Sequence, residues 1–152
     1  MKRVLFLCTG NYYRSRFAEE LFNVLASKHG LAWRADSAGL EPCPRNPGPI
    51  SRYTLGACAR LKIERPASER FPRKVTGPDF VSSDLVIAVK EAEHRPMMER
   101  GFPEHLSRVE FWHVHDIDCA MPDDTIADLE ERVAGLVERL MRAENESQPS
   151  AA

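Results

Sequence analysis

Cys8 and Arg14 stand six residues apart in the segment CTGNYYRS, and a thiol with a guanidinium at that spacing is a pair able to attack and grip a phosphate ester. Spacing alone is weak evidence. Four cysteines and 16 arginines among 152 residues give about 0.4 such matches by chance. Context supplies the rest. The segment begins where the apolar run Val4 to Leu7 ends, and it finishes where Ala18, Leu21, Phe22 and Leu25 repeat at helical spacing. A loop between a buried strand and a helix N-terminus can turn its backbone N–H groups, aided by the helix dipole, toward one anion. Cys8 then faces the positive helix end, which favours the nucleophilic thiolate. Arg14 offers a planar fork for two phosphate oxygens. Thr9, Gly10 and Asn11 build the cradle: Gly10 is expected to permit the close turn, and Asn11 tolerates a left-handed backbone. Ser15 can donate a hydrogen bond to the Cys8 sulfur. Tyr12 and Tyr13 either line the mouth of the pocket and stack on an aryl phosphate, or pack against neighbouring loops.

The elements that must position this loop alternate along the chain. Arg3 to Leu7 reads as a buried strand, followed by the helix just described, which Gly30 stops, and by a second strand over Leu31 to Ala38. The segment EPCPRNPGP from Glu41 to Pro49 carries four prolines and must be an irregular loop. A helix is expected from Ile50 to Leu61, an irregular stretch from Glu64 to Lys74, and a short helix starting at Thr76-Gly77-Pro78-Asp79 with a Thr cap. Leu85 to Val89 reads as a third strand, Glu91 to Arg100 as a helix, and Arg108 to Val114 as a fourth strand. Ile126, Leu129, Val133, Leu136, Val137 and Leu140 make the apolar stripe of a final helix that Asp123 or Asp124 is placed to cap. The fold class is therefore α/β: a three-layer αβα domain over residues 1–142 with a four-stranded parallel sheet, followed by a disordered tail over 143–152. In such sheets ligands bind beyond the carboxyl ends of the strands, where the loop from Cys8 to Ser15 lies.

Composition narrows the partners. A net charge of -2 and a pI near 6.2 supply no broad cationic surface, so nucleic acid is not expected. The apolar run after Met1-Lys2-Arg3 is too short for an export signal or a membrane span. Cys43, Cys58 and Cys119 are scattered, with no C-x-x-C pair, which points away from a disulfide framework and toward a reducing cytoplasm. A monomer or weak dimer is expected.

The segment VLFLCTGNYYRSRFAE resembles the signature of the low-molecular-weight protein tyrosine phosphatases, which reads close to VLFVCxGNxCRSPxAE. The likeness continues through DSAG at Asp36 to Gly39, RKVTGPDF at Arg73 to Phe80 and DLVIAV at Asp84 to Val89. The resemblance implies a phosphatase that uses no metal or other cofactor and hydrolyses phosphate monoesters through a cysteinyl-phosphate intermediate. Its substrate would be phosphotyrosine or an aryl phosphate, on a phosphorylated protein or a small phosphomonoester. It implies that Ser37 buttresses the loop, and that an aspartate before the last helix protonates the leaving oxygen. Asp116 holds that position, although Ile117 replaces the usual proline, and Asp118 is the alternative. Other departures are Tyr12 and Tyr13 in place of an aliphatic residue and a second cysteine, Arg16 in place of proline, Arg70 where some members have a loop-bracing histidine, and Lys90 in place of an aspartate.

Three rival readings follow. His113, His115, Asp116, Asp118 and Cys119 resemble a metal cluster, though an acid loop without metal suits them better. The same scaffold serves arsenate reductases, for which Cys119 is a candidate resolving thiol. A phosphate-binding module with weak turnover would fit the departures at Arg70 and Lys90.

Overall fold

Val4, Phe6 and Cys8 alternate with Leu5 and Leu7 along the first strand, and every one of them is buried. A strand apolar on both faces needs helices on both sides of its sheet, and the computed structural model, which describes residues 1–63 and 70–147, has them. The elements run β1 (Lys2–Cys8), α1 (Arg14–Lys28), β2 (Trp33–Gly39), α2 (Arg52–Arg60), α3 (Gly77–Ser82), β3 (Leu85–Ala88), α4 (Glu91–Gly101), a 3₁₀ turn (Pro103–Arg108), β4 (Val109–Phe111) and α5 (Pro122–Ser147). The four strands are parallel in the order β2-β1-β3-β4. Val4, Phe6 and Cys8 face a core shared with α1, α2 and α5. Leu5 and Leu7 face a second core with Phe80 of α3 and Met98 of α4. Phe6 packs between Phe22 and Trp112, with ring centroids 6.0 and 5.7 Å away. Withdrawing an aromatic side chain of this size from water contributes about 1.5–3 kcal/mol.

This strand order sets the site. The chain leaves β1 toward β2 on one side, then crosses to β3 on the other, so the loop after β1 lies at the point where the order reverses, the usual ligand crevice of such sheets. Cys8 is the last residue of β1.

Several boundaries differ from the sequence reading. The fourth strand is only three residues long. Trp112 and Val114 still donate to the carbonyls of Ala88 and Val89, but His113 pairs with Lys90 in an antiparallel bridge as the chain turns toward the site. The helix of 122–147 starts at Pro122, so Asp123 and Asp124 lie in its first turn rather than at the cap, where they favour the positive helix end. It also continues five residues past Arg142. Helix-forming residues prolong an established helix at little cost even when they bury nothing, and 148–152 lie outside the described residues. The Thr76 cap forms as a capping box with Asp79. Of the irregular stretch from Glu64 to Lys74, residues 64–69 lie outside the described set. The 3₁₀ turn before β4 carries no sequence signal beyond Pro103. Among the described residues no helix is long and apolar enough to cross a membrane.

Candidate active site

Asn11 is the residue around which the loop closes. Its backbone is left-handed (φ 51°), and its side chain is fully buried and saturated. The amide nitrogen donates to Ser15 Oγ (3.0 Å) and Ser37 Oγ (2.9 Å). The amide oxygen accepts from Arg70 Nη1 (2.8 Å) and from the Arg73 N–H (3.1 Å). Gly10, assigned the tight turn from the sequence, does not take it: a side chain there would meet nothing closer than 3.7 Å. The close approach falls instead on Gly39 at the end of β2, where a Cβ would lie 2.8 Å from the Thr9 carbonyl. Only glycine lets β2 abut the loop so closely.

These bonds orient the surroundings of the Cys8 sulfur. Ser15 Oγ, 2.9 Å from Cys8 Sγ, already accepts from Asn11, so its proton is free to point at the sulfur. The Asn11 N–H also donates to the sulfur, at 3.3 Å. The sulfur thus has two donors directed at it at the N-terminus of α1. Ser37 lies behind the loop, donating to Glu19 Oε1 at 2.6 Å while it accepts from Asn11. Burial raises the Glu19 pKa. Arg70 donates to Asn11 and to the Ser37 carbonyl (2.8 Å), so the guanidinium does brace the loop asparagine. Arg16 ties the Asn11 carbonyl to that of Pro49, at 3.3 and 3.1 Å.

Arg14 reaches the same space from the first turn of α1. It is 2 % exposed, and it donates to the Val114 carbonyl (3.2 Å), Glu93 Oε2 (2.7 Å) and Asp116 Oδ2 (3.3 Å). Burial alone would disfavour its charge, but the Cys8 sulfur, Glu93 and Asp116 outweigh that and raise its pKa. Cys8, Thr9, Gly10, Tyr12 and Arg14 line a cavity of about 260 Å³, walled by Tyr13, Glu41, Cys43, Asn46, Ser51, Tyr53, Asp116 and Ile117. A larger groove of about 540 Å³ between α2 and α5 shares Tyr53 but contains no nucleophilic thiol.

The remaining residues separate by position. Tyr12 is partly exposed in the cavity and bonds to the Pro47 carbonyl. Tyr13 is buried against Tyr53, its hydroxyl 3.4 Å from the Pro122 carbonyl, and burial lifts its pKa to about 12. Thr9 turns its hydroxyl to Glu93 and His94 of α4. Asp116 lines the cavity, whereas Asp118 is exposed and does not. Cys119 is exposed and lies 3.8 Å from the Lys90 ammonium, away from the cavity lining. His113, His115, Asp116, Asp118 and Cys119 do not converge: among the described residues no three acidic, histidine or cysteine side chains are placed to hold a metal.

Glu93 and His94 were not singled out from the sequence, although their place directly after β3, at the carboxyl edge of the sheet, was a usable signal. Burial would raise the Glu93 pKa, but bonds from His94, Arg14 and Thr9 hold it well below the usual carboxylate range. A carboxyl with a folded pKa below its unfolded value stabilises the fold fully above about pH 4.3, and that contribution is lost as pH falls toward the folded value. In urea titrations from pH 7 to pH 3, wild type should therefore lose more stability on acidification than Glu93→Gln. Parallel curves would contradict the assignment.

The family model for low molecular weight phosphotyrosine protein phosphatase matches residues 3–146. The chain belongs to that family. Its members are phosphomonoester hydrolases. The chain is 29% identical over 106 residues to a protein-arginine-phosphatase of Bacillus subtilis (strain 168), covering 70% of this chain and 67% of that one. It is 28% identical over 102 residues to the human low molecular weight phosphotyrosine protein phosphatase, covering 66% and 62%. The matched segments thus span about two thirds of each relative. Among solved structures, the low molecular weight protein tyrosine phosphatase from T. tengcongensis superposes with a TM-score of 0.73 at 26% identity, over 94% of this chain and 99% of the other. The three-layer fold with its parallel four-stranded sheet is that of the family.

Proposed function

We infer that this family member hydrolyses phosphate monoesters of the phosphotyrosine type on proteins, through a phosphorylated Cys8. The observation that carries the reading is the meeting of the Cys8 sulfur, the Arg14 guanidinium and the Asp116 carboxylate in one cavity of about 260 Å³. The Cys8 thiolate attacks phosphorus and forms the S–P bond while the ester P–O bond breaks. Asp116 gives its proton to the departing oxygen. A water then loses a proton to the Asp116 carboxylate and attacks phosphorus, the S–P bond breaks, and phosphate leaves with the thiolate restored. Arg14 and the loop N–H groups hold the equatorial oxygens throughout. Tyr12 and Tyr53 give the cavity aromatic walls, which supports an aryl ester over phosphoarginine, the side chain implied by the name of the Bacillus subtilis relative.

Asp116 is preferred to Asp118 because its carboxylate lies in the cavity beside Arg14. Asp116→Ala should slow hydrolysis of phenyl phosphate, a poor leaving group, by about 10²-fold and p-nitrophenyl phosphate less, with Asp118→Ala near wild type. The reverse ranking would transfer the role to Asp118. Arsenite release from arsenate with loss of paired thiols, and no phosphate release from aryl esters, would replace the hydrolase reading with the reductase one.

A further inference from the structure

One carboxylate oxygen, Glu93 Oε2, collects three donors: Arg14 Nη2 at 2.7 Å, His94 Nε2 at 3.0 Å and the Thr9 hydroxyl. A side chain so held has almost no freedom of its own. His94 has no exposed surface, and the Lys90 backbone N–H donates to its Nδ1 at 3.1 Å. Nδ1 is therefore the unprotonated nitrogen, and in the neutral ring the proton sits on Nε2, facing Glu93 and Thr9. Burial also lowers the His94 pKa, which keeps the ring neutral.

The effect of this clamp falls on Arg14. A planar guanidinium fastened at two different nitrogens, Nη1 to the Val114 carbonyl and Nη2 to Glu93, cannot rotate about its own plane. Of its five N–H donors these bonds use two. A third donor reaches Asp116 at the longer distance of 3.3 Å, and these partners leave two for an anion. Lys90, where the family pattern has an aspartate, supplies no carboxylate, and its ammonium lies 3.8 Å from Cys119 Sγ. The acid reaches Arg14 from within the first turn of α4 instead.

We propose that Glu93, locked by His94 and Thr9, is the positioning residue of Arg14, holding the guanidinium in the orientation that grips the phosphoryl group during transfer. This rests on the reading of Arg14 as the phosphate-binding arginine. The role separates chemistry from ground-state affinity. Without Glu93 the guanidinium turns more freely, so the transition state loses its preset donors. Inorganic phosphate, which needs only the charge, meets one negative group fewer and binds at least as well.

The test compares wild type, Glu93→Gln and Glu93→Ala for kcat with phenyl phosphate, for inhibition by inorganic phosphate, and for thermal unfolding. Expected are falls in kcat of about 10-fold for Glu93→Gln and 10²-fold for Glu93→Ala, with the phosphate inhibition constant unchanged or lower in both. An unchanged kcat in Glu93→Ala overturns the proposal and leaves the hydrolase reading intact. So do parallel losses of kcat and phosphate affinity, which mean a damaged loop. A wild type inactive on aryl phosphates overturns both.

Discussion

Cys8→Ser is expected to lower turnover by at least about four orders of magnitude while inorganic phosphate still binds. The size follows from what is lost. A serine hydroxyl stays protonated at neutral pH, and the two donors aimed at the sulfur, from Ser15 and the Asn11 N–H, cannot make it an alkoxide. The loop that binds the anion is untouched, because its shape is held by Asn11 and not by the nucleophile. Phosphate protection against thermal unfolding measures the retained binding, and initial rates with p-nitrophenyl phosphate measure the loss. In wild type, acid quenching during turnover should trap phosphate on Cys8. Full activity of the serine variant would remove the proposed mechanism.

Arg14→Lys is the second large effect. Lysine keeps the positive charge but replaces a planar five-donor fork with a point charge on a flexible stem. Three fixed partners would be replaced by at most a subset: Val114, Glu93 and Asp116 now share the guanidinium. Arginines that stabilise a phosphoryl transition state contribute about 10³- to 10⁵-fold, so kcat/KM should fall by about 10³-fold. Phosphate inhibition should weaken far less, since charge survives. A lysine variant within tenfold of wild type would mean that charge alone suffices and that the geometry around Arg14 is incidental.

What could be read from the sequence was what is local in it. The strand ending at Cys8, the loop and the helix from Arg14 are contiguous, and their apolar periods report the two faces of β1 and the buried side of α1. The final helix was legible for the same reason, through a stripe that is buried as its spacing requires. Gly10 misled because glycine is the default residue for a tight turn, whereas here the positive φ falls on Asn11, whose saturated side chain supports it. Arg70 stood out only as a departure from the family pattern. That its guanidinium reaches Asn11 across 59 positions depends on how β2 and the segment before α3 lie together. Glu93 was missed because nothing in a charged helix marks which carboxylate points inward at an arginine 79 residues earlier.

Asn11 carries a consequence for how the molecule matures. Its amide is satisfied by Ser15 four residues away, by Ser37 at a separation of 26, and by Arg70 and Arg73 at 59 and 62. A nascent chain that has emerged only through α1 already possesses the whole signature from Cys8 to Ser15, but neither guanidinium nor backbone exists to fill the Asn11 oxygen. The full bond set of the cradle therefore requires β2 and the segment leading to α3 to lie against the loop. A chain ending before residue 70 would carry the motif without the partners of the Asn11 oxygen.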